Sequence, residues 1–251
     1  MKTFFIFTLL SLLAAYFPEV IMKEDHNSDE YVHDNFNVPY MVYLQSSPEP
    51  CVGTLIDPQW VLTAAHCSLP TKIRLGVYRP NIKNEKEQIC GYSVTVVHPN
   101  FDAKILKNDL MLIKLSYPAT INMYVGTIAI AMEPMIFNET CFIPTWTWSN
   151  YKNFSDPDIL TWINEYSLSP SDCWNVLHRQ RKETRMNIMC IGNSFNTISA
   201  TKEVSAAPAI CNGRLHGILA WGKAGITKGS GGFFTAIHPY GRWILKMMES
   251  Y

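Results

Sequence analysis

The sequence lacks an excess of charge of either sign: 21 basic residues balance 21 acidic ones. Without that excess the chain has no general electrostatic pull toward nucleic acid or an anionic membrane, and neither is expected as a partner. Cys-x-x-Cys pairs and His-x-x-x-His spacings are missing too, which removes the sequence basis for a metal site. No Gly-rich phosphate loop, nucleotide motif, obvious repeat or low-complexity tract occurs, so no cofactor is expected. Beyond the N-terminal region no apolar run approaches the ~20 residues that cross a bilayer.

What is present is a chain of 251 residues, 47% of them hydrophobic, enough for one large domain or two tightly packed half-domains. Met1-Lys2-Thr3 followed by the short apolar run Phe4 to Ala15 has the pattern of a secretory signal peptide over residues 1–15, with cleavage near Ala15. A secreted, extracellular location follows as the expectation. It makes the seven cysteines candidates for disulfides, and their odd number leaves at least one over. The residues alone leave the connectivity open. The sequons Asn138-Glu139-Thr140 and Asn153-Phe154-Ser155 mark Asn138 and Asn153 as candidate glycosylation sites on a loop-rich surface.

Residues 16–37 read as a flexible leader, polar and acidic without periodicity from Lys23 onward. The folded body is expected over residues 38–251. There, short apolar or alternating runs are broken by turn residues: Tyr40 to Leu44, Gly53 to Ile56, Trp60 to Thr63, Ile73 to Val77, Tyr92 to Val97, Leu110 to Leu115, Cys141 to Trp146, Ile210 to Trp221 and Gly232 to Ile237. This spacing suggests an all-β sandwich or barrel. Only the C-terminus reads as helix, from Tyr240, Trp243, Ile244, Met247 and Met248 at spacings of three and four.

Three segments carry candidate chemistry. Trp60 to Cys67 puts His66 just after an apolar strand, Asn108-Asp109 opens the apolar run to Leu115, and Ser205 follows in Glu203-Val204-Ser205-Ala206-Ala207-Pro208. Histidine can take the serine's proton while the aspartate fixes the imidazole tautomer and stabilises its charged form. The chain order His, Asp, Ser is that of the chymotrypsin-like arrangement. With Cys211-Asn212-Gly213, Trp221-Gly222 and Trp243-Ile244 following in order, the chain from Val38 to the C-terminus resembles a trypsin-family serine protease. More narrowly, it is similar to the trypsin-X, or inactive serine protease, subgroup.

The resemblance implies an all-β fold, a chymotrypsin-like double six-stranded antiparallel β-barrel with a C-terminal α-helix and a cleft between the barrels that receives a protein or peptide ligand. It implies His66, Asp109 and Ser205 as catalytic positions and pairs Cys51 with Cys67, Cys141 with Cys211 and Cys173 with Cys190. Cys90 is then the leftover thiol of a monomer, read as a small, partly buried apolar residue. Ser199, Gly222 and Gly232 fall at the specificity pocket; Ser199 supplies no charge to select Lys or Arg, which implies a preference for apolar or aromatic side chains.

Departures from the family pattern cluster around Ser205. Glu203 stands where a glycine N–H helps form the oxyanion hole, and loss of one such donor costs about 100- to 1000-fold in rate. Val204 replaces the aspartate that pairs with a new N-terminal ammonium after zymogen cleavage, while Asn27-Ser28-Asp29-Glu30 stands in place of the start that supplies that ammonium. Ala206 and Ala207 replace glycines, so the loop is expected to relax into another shape rather than hold a left-handed backbone. Ala220 replaces a serine that orients the aspartate, and Thr201 and Gly225 replace a cysteine pair flanking the pocket. These losses imply a pseudo-protease that acts by binding. The alternative is a serine-type endopeptidase with weak or unusual activation and non-tryptic specificity.

Overall fold

A computed structural model describes residues 38–149, 156–179, 187–192, 202–222 and 231–251. The signal and leader, Asn153, Ser199, Thr201 and Gly225 lie outside the described residues.

The first sheet is built from β1 (Met41–Gln45), β2 (Cys51–Asp57), β3 (Trp60–Thr63), β4 (Lys72–Leu75), β5 (Gln88–Cys90), β6 (Tyr92–Val97) and β7 (Met111–Leu115), in the antiparallel order β5-β4-β1-β2-β3-β7-β6. Its two edge strands, β5 and β6, are separated in sequence by Gly91 alone. Cys90 pairs with Ile73 of β4 and Tyr92 with Leu115 of β7, while Ser116 N–H donates to Gly91 O at 3.0 Å. The sheet therefore closes on itself through Gly91, and its seven strands make a six-stranded barrel if β5 and β6 count as one bent strand. Closure removes the free edges that an open sheet would expose.

The second sheet comprises β8 (Thr140–Thr147), β9 (Ile159–Tyr166), β10 (Ile188–Ile191), β11 (Pro208–Cys211), β12 (Arg214–Gly222) and β13 (Gly232–Ala236), in the antiparallel order β10-β13-β12-β11-β8-β9. Its edges also meet: Leu168 N–H donates to Cys190 O and Gly192 N–H to Tyr166 O, both at 2.9 Å. The fold is the chymotrypsin-like double barrel, with α1 (Pro170–Arg179) beside the second sheet and α2 (Gly241–Ser250) at the C-terminus. Ile244 of α2 is fully buried, with Trp243, Met247 and Met248 packed partly against the same core.

Strands β1 to β4 and β7 bury most of their apolar side chains, whereas β5 and β6 fully bury none. Val42, Leu44, Leu55, Leu62, Ile73, Leu75 and Leu112 have no solvent exposure, and each such burial contributes roughly 1.5–3 kcal/mol. Three cystines fasten the chain: Cys51–Cys67, Cys141–Cys211 and Cys173–Cys190. Cys90 is a free, half-buried thiol, and burial raises its pKa.

The strand read as Ile210 to Trp221 is two strands. Asn212 and Gly213 adopt φ of 48° and 70° and turn the chain between Cys211 and Arg214, which face each other across β11 and β12. Asn-Gly is the dipeptide that accepts positive φ at both positions of a two-residue hairpin turn. The strands β5, β9 and β10 and the helix α1 are additions to the sequence reading.

Candidate functional site

His66 is delivered by the tight turn that ends β3, where Cys67 N–H donates to Ala64 O, and the Cys51–Cys67 cystine ties that turn to β2. Asp109 lies two residues before β7 and has no solvent exposure. Its two carboxylate oxygens both face His66. Oδ1 accepts the His66 backbone N–H at 2.8 Å and Oδ2 lies 2.6 Å from the ring Nδ1. Among the described residues, no other group donates to this carboxylate. A buried carboxylate paired in this way fixes the ring's orientation and leaves Nε2 as the imidazole's free working nitrogen.

Ser205 comes from the second half of the chain but is anchored on the first sheet. Its carbonyl accepts the Val52 N–H at 2.8 Å, next to the parallel bridge between Ser205 and Cys51. Cys51 thus stands between the disulfide to the His66 turn and the backbone bridge to Ser205. A cleft of about 190 Å³ results, lined by His66, Lys202, Glu203, Ser205, Ala206, Leu219 and Ala220, among others. His66, Asp109 and Ser205 are brought together: the first and third share the cleft, and the second lies buried against the first.

Among the described residues, four hydrogen bonds hold Val204, Ser205 and Ala207. Val204 N–H donates to Trp146 O at 2.8 Å and Thr145 Oγ1–H to Val204 O at 3.0 Å, while Val52 N–H reaches Ser205 O and Leu219 N–H reaches Ala207 O. Val204 itself is buried at 1% exposure. The expectation that alanine would relax the loop is corrected here: Ala206 keeps a left-handed backbone with φ of 66° and no solvent exposure. Left-handed geometry costs a non-glycine residue roughly 1–2 kcal/mol, and the surrounding bonds over-determine the turn strongly enough to hold it. Ala207 is absent from the positive-φ positions, so only the first of the two replaced glycines meets this strain.

Glu203 lines the cleft beside Ser205 and pairs with Thr147 in an antiparallel bridge. The bridge is closed by Val204 N–H to Trp146 O and by Trp148 N–H to Lys202 O, so Glu203's own amide is not used in it. Lys202, at the cleft's edge, forms an ion pair with Glu49 and lies over the Trp148 ring at 5.4 Å. Neither Lys202 nor Glu49 stood out in the sequence, because a lone basic and a lone acidic residue so far apart carry no local signal.

Gly222 and Gly232 are register partners across β12 and β13. A Cβ on Gly232 would come within 2.6 Å of Leu219 Cδ1 and 2.8 Å of Phe234 Cε2, so a side chain there would require those two to shift. Asn138 is exposed, on a turn at φ of 62°. The ligating atoms of Cys51, His66 and Cys67 lie within 4.8 Å of one another, but the two sulfurs are joined as a cystine and offer no thiolate to a metal. A larger cavity of about 300 Å³ opens between α1 and β10, walled by Trp174, Leu177, Ile188 and Met189; it contains none of the predicted catalytic or pocket residues.

Residues 27–244 match the family model described as Trypsin. The chain belongs to the trypsin family. This trypsin-family chain is 37% identical over 225 residues to "Probable inactive serine protease 58" of Bos taurus, covering 88% of this chain and 92% of that one. It is 36% identical to "Serine protease 58" of Homo sapiens, over 84% of this chain and 88% of that one. It is also 34% identical to "Trypsin" of Sus scrofa, over 83% and 89% respectively. The Cys-His turn, the Asp-led strand and the serine loop thus sit in a family frame that spans most of the chain.

Proposed function

We propose that this protein is a secreted pseudo-protease, a trypsin-family domain whose cleft binds a protein or peptide segment with little or no hydrolysis. The observation that carries the reading is Val204. It is buried and apolar, with its N–H and C=O both paired to β8, so the serine loop is fixed without a carboxylate that could receive a newly cut N-terminus. Replacing a buried ion pair by packed apolar groups is close to neutral for stability, whereas it removes the charge switch. Glu203 adds a second obstacle: it brings an acidic residue to the wall of a cleft in which hydrolysis would develop negative charge on an attacked carbonyl. A relative bearing the words "Probable inactive" accords with this reading.

In this account His66, Asp109 and Ser205 remain as an acid–base and nucleophile set whose transition-state support is weakened. The rival reading, a slow serine endopeptidase, draws on two observations: His66 and Ser205 share a cleft, and the Asp109–His66 pair is intact. Treating the purified protein with a fluorophosphonate, beside a Ser205→Ala control, separates the two. The pseudo-protease reading expects no Ser205-dependent labelling of folded protein; stoichiometric labelling lost in the control would establish the enzyme.

A further inference from the structure

Asp109 has an unusual need. Both hydrogen bonds to its carboxylate among the described residues come from His66, the residue it is supposed to orient. Ala220, at the cleft, has no side-chain donor to offer. A pair that holds only itself can swing as a unit, so its placement has to come from the backbone that carries Asp109.

That backbone is set by Asn108, which adopts a left-handed conformation with φ of 52°. Asparagine tolerates this region better than most residues. Its carbonyl accepts Leu110 N–H at 2.9 Å across the Asp109 position, and its side chain is held at both ends. Nδ2 donates to Asn100 O at 2.7 Å, and Oδ1 accepts the Tyr240 hydroxyl at 2.8 Å. The Tyr240 oxygen in turn accepts Asn187 Nδ2–H at 3.0 Å. One hydroxyl therefore ties together the turn before β7, the residue before β10 and the turn before α2.

We infer that Tyr240, acting through Asn108 and braced by Asn187, is the positioning residue that keeps Asp109 aimed at His66. Tyr240 is itself firmly seated at 4% exposure, with the His98 ring edge-on at 5.2 Å. His98 closes the circle by donating its backbone N–H to Leu110 O at 3.0 Å, on the other flank of Asp109. Burial raises the phenol's pKa; the Asn187 bond opposes the rise and the Asp109 charge adds to it, so the hydroxyl stays a donor across the physiological range. The inference rests on the His66–Asp109 pairing but not on whether Ser205 turns over a substrate.

The test follows the proton shared by His66 Nδ1 and Asp109 Oδ2 as a low-field NMR resonance in the full chain. Tyr240→Phe removes only the hydroxyl and keeps the ring against His98. Asn108→Gly keeps the left-handed backbone accessible and removes the side-chain anchors. The resonance is expected to shift upfield and lose intensity through faster exchange in both variants, with no further change when they are combined, while Asp109→Asn abolishes it. An unchanged resonance in a folded Tyr240→Phe or Asn108→Gly protein, with loss in Asp109→Asn, would overturn the positioning role and leave the pair intact. Absence of the resonance from the unmutated protein would instead contradict the pairing itself, and the inference with it.

Discussion

The carbonyl of Ser205 accepts a hydrogen bond from Val52 N–H at 2.8 Å, one residue along β2 from the cysteine that is bonded to the neighbour of His66. Nucleophile and base are therefore held through the same strand of the first barrel, although Ser205 belongs to the second half of the chain. The stability of the cleft depends on this strand, on the turn at Ala206 and on the packing around Val204.

Replacing Cys51 and Cys67 together by alanine opens a loop of sequence separation 16. Loop-closure entropy for that length predicts a loss of about 3 kcal/mol. Calorimetric melting of the double variant beside the parent checks the magnitude, and the His66 turn should become the most protease-sensitive new site.

Ala206 and Ala207 give a crossed prediction. Each glycine substitution removes one buried methyl and loosens the unfolded chain, but only Ala206 is left-handed. Ala206→Gly should therefore be better tolerated than Ala207→Gly by about 1–2 kcal/mol. Urea denaturation of the two variants measures the difference directly; equal costs would mean that the φ of Ala206 carries no strain.

Val204→Asp introduces the acidic residue type that the family resemblance implies at this position, but without a partner. A charge buried and unpaired at a site with 1% exposure is expected to destabilise the fold by about 3–5 kcal/mol. Chemical denaturation reads the loss. The substitution alone should also leave fluorophosphonate labelling at the level of the unmutated protein.

Stability should fall as the pH drops through the histidine range. Burial holds His98, His216 and His238 below their ordinary pKa of 6.5. The unfolded chain then binds more protons than the folded one, so their contribution is present above 6.5, is lost progressively as the pH falls below it, and levels off under the folded values. Melting temperatures should fall between pH 7.5 and 5.5, and His98→Phe, which keeps a ring against Tyr240 and Trp243, should flatten the trend.

Much of this was legible in the sequence, for identifiable reasons. Trp60-Val61-Leu62 and Leu110 to Ile113 announce themselves because strand segments buried on both faces carry continuous apolar runs. β9 escaped notice because Asn164 and Glu165 interrupt its apolar pattern, and β5 because its three residues are too few to show a period. The helix α1 exposes most of its surface, with only Cys173, Val176 and Leu177 buried, so its stripe is narrow. Its start was nevertheless written in Ser169-Pro170-Ser171-Asp172: Asp172 N–H donates to Ser169 Oγ at 3.1 Å and Ser169 Oγ–H to the Asp172 carboxylate at 2.6 Å, a cap with proline in the first turn. At the site, the residue types at 66, 109 and 205 could be read in advance. The shape of the serine loop could not, because the hydrogen bonds to Val52, Trp146 and Thr145 that hold Ala206 left-handed are long-range and leave no trace in local spacing. The Tyr240–Asn108–Asn187 tie was hidden for the same reason.

The most direct measurement is a mass-spectrometric comparison of an unbiased peptide library incubated with the protein and with its Ser205→Ala variant, alongside equilibrium capture of uncleaved peptides by both. The account predicts saturable capture by both proteins and no cleavage product that depends on Ser205. A set of peptides cut by the unmutated protein and spared by Ser205→Ala would contradict it.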